Sequence, residues 1–192
     1  MAQITVEGKY YFSRQEMVAG FNFSANGKFE FFYSYGAVDR YATGTFSVEG
    51  DTLKLKSDKI AGNDFTITNQ SKLPGGYKLV FEHPNQLLVN NILCIFMKNG
   101  IVHREFTNNK GEVQVKLNDC DTIYVQHGLY PDILTLIKDA GNTNNRFTLS
   151  LNPSLEQVSF KGIDFKIVDE NTITCLRNYF MDLPDIEFKS EK

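Results

Sequence analysis

The chain has 192 residues, 42% of them hydrophobic, with 16 Phe, 9 Tyr and no Trp. That length holds one large β-domain or two small ones, and the aromatic side chains supply real cores from few strands. The 20 Lys and Arg are scattered among 23 Asp and Glu, and the net charge of −3 excludes broad attraction to nucleic acid or to an anionic membrane.

No membrane insertion is expected, because the longest apolar run, Ile92 to Met97, is far below the roughly 18 residues a spanning helix needs. Met1-Ala2-Gln3-Ile4-Thr5 carries neither a basic region nor an apolar one. A complete chain is therefore expected to be cytoplasmic, and one trimmed of a signal peptide secreted or periplasmic. Three cysteines without CxxC spacing argue against a disulfide framework and against zinc. Cys94 and Cys175 sit in strand patterns, and Cys120 lies between Asp119 and Asp121, where negative charge disfavours a thiolate.

Turn signals dominate the chain order: Asn26-Gly27, Gly50-Asp51, Pro74-Gly75-Gly76, Asn99-Gly100 and Asn109-Lys110-Gly111. They cut it into strand-length segments, and short loops join antiparallel neighbours. Residues 1–72 read as an antiparallel β-meander or partial barrel. Ser13 and Glu16 have capping-box spacing and predict one helical turn over Ser13–Met17. A three-residue loop Ala25-Asn26-Gly27 pairs Phe23 with Phe29 and Phe21 with Phe31. The two-residue alternative would set Glu30 against Phe23. Gly50-Asp51 as a two-residue turn pairs Val48 with Leu53 and Phe46 with Leu55, and Gly44 marks a bulge or a close backbone approach.

The pattern breaks near residues 69–76, which predicts a domain boundary and a second domain, a β-sandwich with a C-terminal extension, over 77–192. Tyr77–Phe81 opens it, and the run Ile92–Met97 reads as a central strand covered on both faces. Asn99-Gly100 turns that strand back into Ile101–Phe106. Further strands fall near 112–117, 121–126, 133–137, 145–151, 158–160, 163–168 and 172–176. The polar tail from Asp182 is expected to fray. The fold class is thus all-β, in two small antiparallel domains.

Two loops concentrate side chains suited to binding. Ser34 to Tyr41 brings Tyr35, Asp39, Arg40 and Tyr41 to a strand turn, combining amphipathic rings with a forked cationic donor. His127 to Asp132 offers His127, Tyr130 and Asp132 on a backbone shaped by Gly128 and Pro131. No nucleophile elbow, phosphate loop or dinucleotide fingerprint is present, and neither a cofactor nor a metal is expected. His103 and Glu105 share one strand face and read as a solvated edge pair.

Phe106-Thr107-Asn108-Asn109-Lys110-Gly111 leading into Asp121-Thr122-Ile123-Tyr124-Val125 resembles the transthyretin-like, carboxypeptidase-regulatory-like β-sandwiches over roughly residues 77–150. Gly8-Lys9-Tyr10 through Gly44-Thr45-Phe46 to Gly50-Asp51, with Ser34-Tyr35-Gly36-Ala37-Val38-Asp39-Arg40, resembles small lipocalin-like modules of bacterial proteins. A full lipocalin needs about eight strands, and the first part has room for about six. The resemblance implies non-enzymatic modules, with no catalytic residue transferred.

The expected function is binding of a protein or small-molecule partner through loops at the sheet ends. One alternative is a hydrolase at the domain interface using His127 and Asp132, or Asp39 and Arg40. The other is an assembly protein pairing through an exposed strand edge.

Overall fold

The computed structural model describes residues 5–191; Lys192 and the opening Met1–Ile4, read above for a targeting signal, lie outside them. The first strands are β1 (Gly8–Arg14), β2 (Met17–Phe23), β3 (Lys28–Tyr35), β4 (Val38–Glu49) and β5 (Thr52–Ser57). Next come β6 (Phe65–Ser71), β7 (Tyr77–Glu82), β8 (Ile92–Lys98), β9 (Ile101–Phe106), β10 (Glu112–Val115), β11 (Thr122–His127), β12 (Thr135–Lys138) and β13 (Arg146–Leu151). The last are β14 (Asp164–Asp169), β15 (Thr172–Cys175) and β16 (Ile186–Ser190). Two short 3-10 turns, Gln86–Val89 and Pro153–Glu156, are the helical segments among the described residues.

β1–β5 and β14–β16 form a closed antiparallel barrel in the order β1-β16-β15-β14-β5-β4-β3-β2. This corrects the expected partial barrel: the strands the N-terminal part lacks come from the other end of the chain. Tyr10 pairs with Ser190 and Tyr11 with Lys189, which closes the cylinder. The expected fraying of the tail is likewise wrong, because Ile186 and Phe188 point inward and are fully buried while Glu187 and Lys189 face out. Ser13–Met17 is not helical. Arg14 pairs with Met17 across a tight turn with Glu16 at φ 57°, so strand pairing overrides the local capping pattern.

The hairpin registers are as the sequence dictates. Phe23 opposes Phe29 and Phe21 opposes Phe31, with Gly27 left-handed at φ 76°. Val48 opposes Leu53 and Phe46 opposes Leu55. At Gly44 a Cβ would run into the Lys56 carbonyl oxygen, and there β4 leaves β3 and takes up β5.

The barrel interior is filled. Phe21 lies 4.6 Å from Phe31, 5.2 Å from Phe165 and 5.1 Å from Phe188, centroid to centroid. Phe160 enters from the segment after the second 3-10 turn and meets Phe21, Phe29, Phe31, Phe165 and Phe180. That segment was expected to be a strand near 158–160. Only an isolated parallel bridge, Gln157 to Tyr41, forms there, with Val158 N–H donating to the Tyr41 carbonyl.

The remaining strands make two four-stranded sheets, β10-β7-β13-β6 and β12-β11-β8-β9. Leu79, Phe81, Phe147 and Leu149 of one, and Ile92, Cys94, Phe96, Ile123 and Val125 of the other, are buried. β13 runs parallel to β7, so the antiparallel expectation fails at that pair. β8 is central, but only one of its faces is buried; Leu93, Ile95 and Met97 stay half-exposed. The residues at 72–76 are a loop rather than a boundary, held by the buried Asn145 amide. It accepts from Leu73 N–H and donates to the carbonyls of Leu73, Gly75 and Gly76.

By its contacts the chain divides into one compact unit ending at Lys59 and resuming at Glu156, and a second over Ile60–Leu155. These spans replace the expected 1–72 and 77–192: β6 pairs with β13, and β14–β16 belong to the barrel. Phe160→Ala should lower the stability of the barrel by about 3–5 kcal/mol. Chemical denaturation followed by Tyr fluorescence checks this, and a loss under about 1 kcal/mol would mean that the ring is not central to packing.

Candidate functional site

Strand alternation separates the residues expected to share the first loop. Arg40 is 3% exposed and points into the barrel mouth, whereas Asp39 and Tyr41 point outward and Tyr35 sits exposed at the end of β3. The Arg40 guanidinium donates to the Gln157 carbonyl at 3.2 Å and lies over the rings of Tyr179 and Phe180, 5.4 and 5.8 Å from their centroids. The Tyr33 ring meets Phe180 edge-on. Burial pushes its hydroxyl pKa up while the Arg40 charge pulls it down. Tyr179 Oη accepts from Ser159 N–H and donates to the Ser159 carbonyl. Arg40 thus anchors the segments that cover the mouth, with its guanidinium buried there rather than presented at the loop surface where the sequence reading placed it.

The second loop is also structural. His127 is 1% exposed; its Nδ1 accepts from Leu129 N–H at 3.1 Å, which leaves Nε2–H to donate to the Leu88 carbonyl at 2.8 Å. The imidazole therefore ties β11 to the 3-10 turn Gln86–Val89. Tyr130 is buried with its ring 5.1 Å from His127, and the Asp132 carbonyl accepts from Gln126 Nε2. His127 and Tyr130 thus turn inward, contrary to the expected binding surface. The thiols are poor nucleophiles: burial pushes Cys94 up and Cys175 to about 12. It also raises Cys120, against the Tyr77 hydroxyl and the Lys138 charge.

Sequence reasoning missed the outer face of β1–β4. The registers align side chains into rows across the strands. Tyr11, Gly20, Phe32 and Tyr41 form one row, and Lys9, Asn22, Glu30 and Thr43 the next. Phe32 is 43% and Tyr41 39% exposed. Tyr11 and Phe32 close over Gly20 with centroids 6.2 Å apart, and a Cβ on Gly20 would sit 2.5 Å from Phe32 Cε1. The glycine is the floor of an aromatic shelf.

Beside the shelf, Asn22 Nδ2 donates to Glu30 Oε2 at 3.2 Å and Thr43 Oγ1 to Asp58 Oδ2 at 2.9 Å. A depression of about 480 Å³ runs over Lys9, Tyr11, Gly20, Asn22, Glu30 and Phe32. One of about 440 Å³ adjoins it and shares Asn22 and Glu30. The signal was present in Phe29-Glu30-Phe31-Phe32-Tyr33, where Phe32 is an aromatic out of phase with the buried set.

A larger depression of about 520 Å³ on the opposite wall is lined by Asp51, Asp164, Asp185 and Glu187 among others. Among the described residues no group of three His, Cys, Asp or Glu side chains is placed to hold a metal.

Burial holds the His127 pKa below its usual value, assisted by the His83 charge and opposed by the Leu88 carbonyl. The unfolded state therefore takes up that proton first, so the latch contributes stability above about pH 6.5, lost as pH falls below it. Denaturation between neutral pH and about pH 5 should show a shallower acid loss for His127→Gln than for the wild type; parallel curves would sink the assignment. Comparison with protein-family models, with curated proteins and with solved structures gives no match.

Proposed function

We propose that the protein is a non-enzymatic binding protein whose ligand is a saccharide taken on the outer face of β1–β4. The observation that carries this is the outward row of half-buried Tyr11 with exposed Phe32 and Tyr41, set beside the hydrogen-bonding row of Lys9, Asn22, Glu30 and Thr43. A pyranose ring has an apolar C–H face and a rim of hydroxyls. Aromatic rings offer the first a flat apolar support, and a carboxamide next to a carboxylate offers the second both donors and acceptors. Concave, largely apolar surface with a few convergent polar groups is the general character of small-ligand sites, and the two adjoining depressions here supply it.

The lipocalin-like and transthyretin-like resemblances fit this reading as architecture: an up-and-down barrel and a two-sheet sandwich. A ligand inside the barrel is disfavoured, since Phe160 and its neighbours occupy that space. The hydrolytic alternative loses support because both ring nitrogens of His127 are bonded to backbone and Arg40 is buried. The sheet-end loops, for the same reason, serve the fold more than a ligand.

Affinity electrophoresis against a panel of soluble plant, microbial and animal polysaccharides tests the proposal. At least one should retard the protein, and Phe32→Ala should weaken that binding about tenfold, the equivalent of one lost aromatic contact. Uniform failure to bind, or full retention by the folded Phe32→Ala variant, would overturn it.

A further inference from the structure

We infer that β9 pairs with β9 of a second copy of this chain, extending the sheet β12-β11-β8-β9 across a two-fold axis. β9 is the edge of that sheet, bonded only to β8 among the described residues. Ile101 is 75% and Phe106 55% exposed, and Val102 is exposed as well. An edge strand of this kind presents a row of unpaired N–H and C=O groups.

The register follows from the hairpin. Asn99 and Gly100, both left-handed, make a two-residue turn, so Lys98 and Ile101 are its first hydrogen-bonded pair. Odd-numbered residues of β9 then bond to β8, as Thr107 N–H does to the Ile92 carbonyl at 3.0 Å just beyond it. The N–H and C=O groups of Val102, Arg104 and Phe106 face the open edge. A two-fold axis normal to the sheet keeps each side chain on its own face, so only residues of equal parity meet.

Two registers remain once the one that sets Glu105 against Glu105 is set aside for its facing carboxylates. With His103 opposite His103 of the second copy, Val102 meets Arg104 and Ile101 meets Glu105, and about four backbone bonds form. With Arg104 opposite Arg104, all three free residues are used and about six bonds form. His103 then meets Glu105 of the second copy at the closely spaced positions, and Val102 meets Phe106. In the second register only does the imidazole, whose Nε2 already lies 3.1 Å from Glu105 of its own strand, meet a carboxylate acceptor of the other copy while the apolar groups meet one another. Leu93 beside Phe106, and Met97 beside Val102, continue the apolar contacts on each side of the axis.

The two Arg104 guanidiniums face each other on the solvated side and oppose this pairing. The association is accordingly a reversible one, and Arg104→Thr should tighten it.

Sedimentation velocity of the full chain over a concentration series should show monomer and dimer in exchange. Arg104→Pro should be monomeric while keeping its thermal transition, because the N–H it removes serves only the open edge. Single-cysteine probes fix the register, since Cys94, Cys120 and Cys175 are buried. A short bifunctional thiol reagent should bridge Arg104→Cys, whose Cα atoms would lie about 5.5 Å apart. It should not bridge Val102→Cys, whose copies stand about 14 Å apart at four residues of stagger. A wild type that stays monomeric at its solubility limit, a dimer that survives Arg104→Pro, or equal bridging of both cysteines would overturn the proposal. So would saturation of the edge by an unrelated extended peptide with no self-association.

Discussion

Pairing between β1 and β16 is the constraint on which the barrel rests. A sheet whose inner face is phenylalanine has no stable open form in water, since each ring exposed at a gap forfeits its share of apolar burial. Joining Tyr10 and Tyr11 to Ser190 and Lys189 removes both edges at once. It also fixes what the interior holds. Phe12, Phe21, Phe31, Phe160, Phe165 and Phe188 meet edge-on or tilted, as aromatic quadrupoles prefer, and leave the cylinder solid. A solid barrel moves any ligand to its outside.

The same alternation that fills the interior decorates the exterior. Each inward Phe of β2 and β3 has outward neighbours, and the antiparallel registers bring Tyr11, Gly20, Phe32 and Tyr41 into line. Gly20 matters because a side chain there would lift the flanking rings apart. In the second unit, the buried polar groups serve loops instead. Asn145 holds the loop before β7, and His127 holds the 3-10 turn before β8. Both are satisfied by backbone partners, which is what allows polar side chains to sit so deep.

Local chemistry was legible wherever one or two residues decide a turn. The register at Gly27 followed from keeping Glu30 off an aromatic face, and Gly50-Asp51 set the next hairpin unaided. Long-range pairing was not legible. Ile186 and Phe188 are two apolar residues in a charged tail, and nothing near them announces that Ser190, two residues on, closes against Tyr10. The unit boundaries were missed for a related reason: Asp58 to Gly62 reads as an ordinary turn, yet the whole second unit departs from it. Of the candidate site, Tyr41 was identified and lies on the aromatic row, whereas Arg40 was grouped with it at the loop end although the two side chains leave opposite faces of the strand. Alternation from Ala42 would have turned it in.

Placing the second unit between β5 and β14 in the chain has a consequence for synthesis on the ribosome. When β5 leaves the exit tunnel, five strands with a phenylalanine-lined face exist and their partners do not. The strands of the second unit, by contrast, are all present once Leu151 has emerged, since Phe65 pairs with it directly. Nascent chains therefore acquire a folded middle ahead of their own beginning. Through that interval the incomplete cylinder exposes an apolar face and two unpaired strand edges, the features that set aggregation in competition with folding.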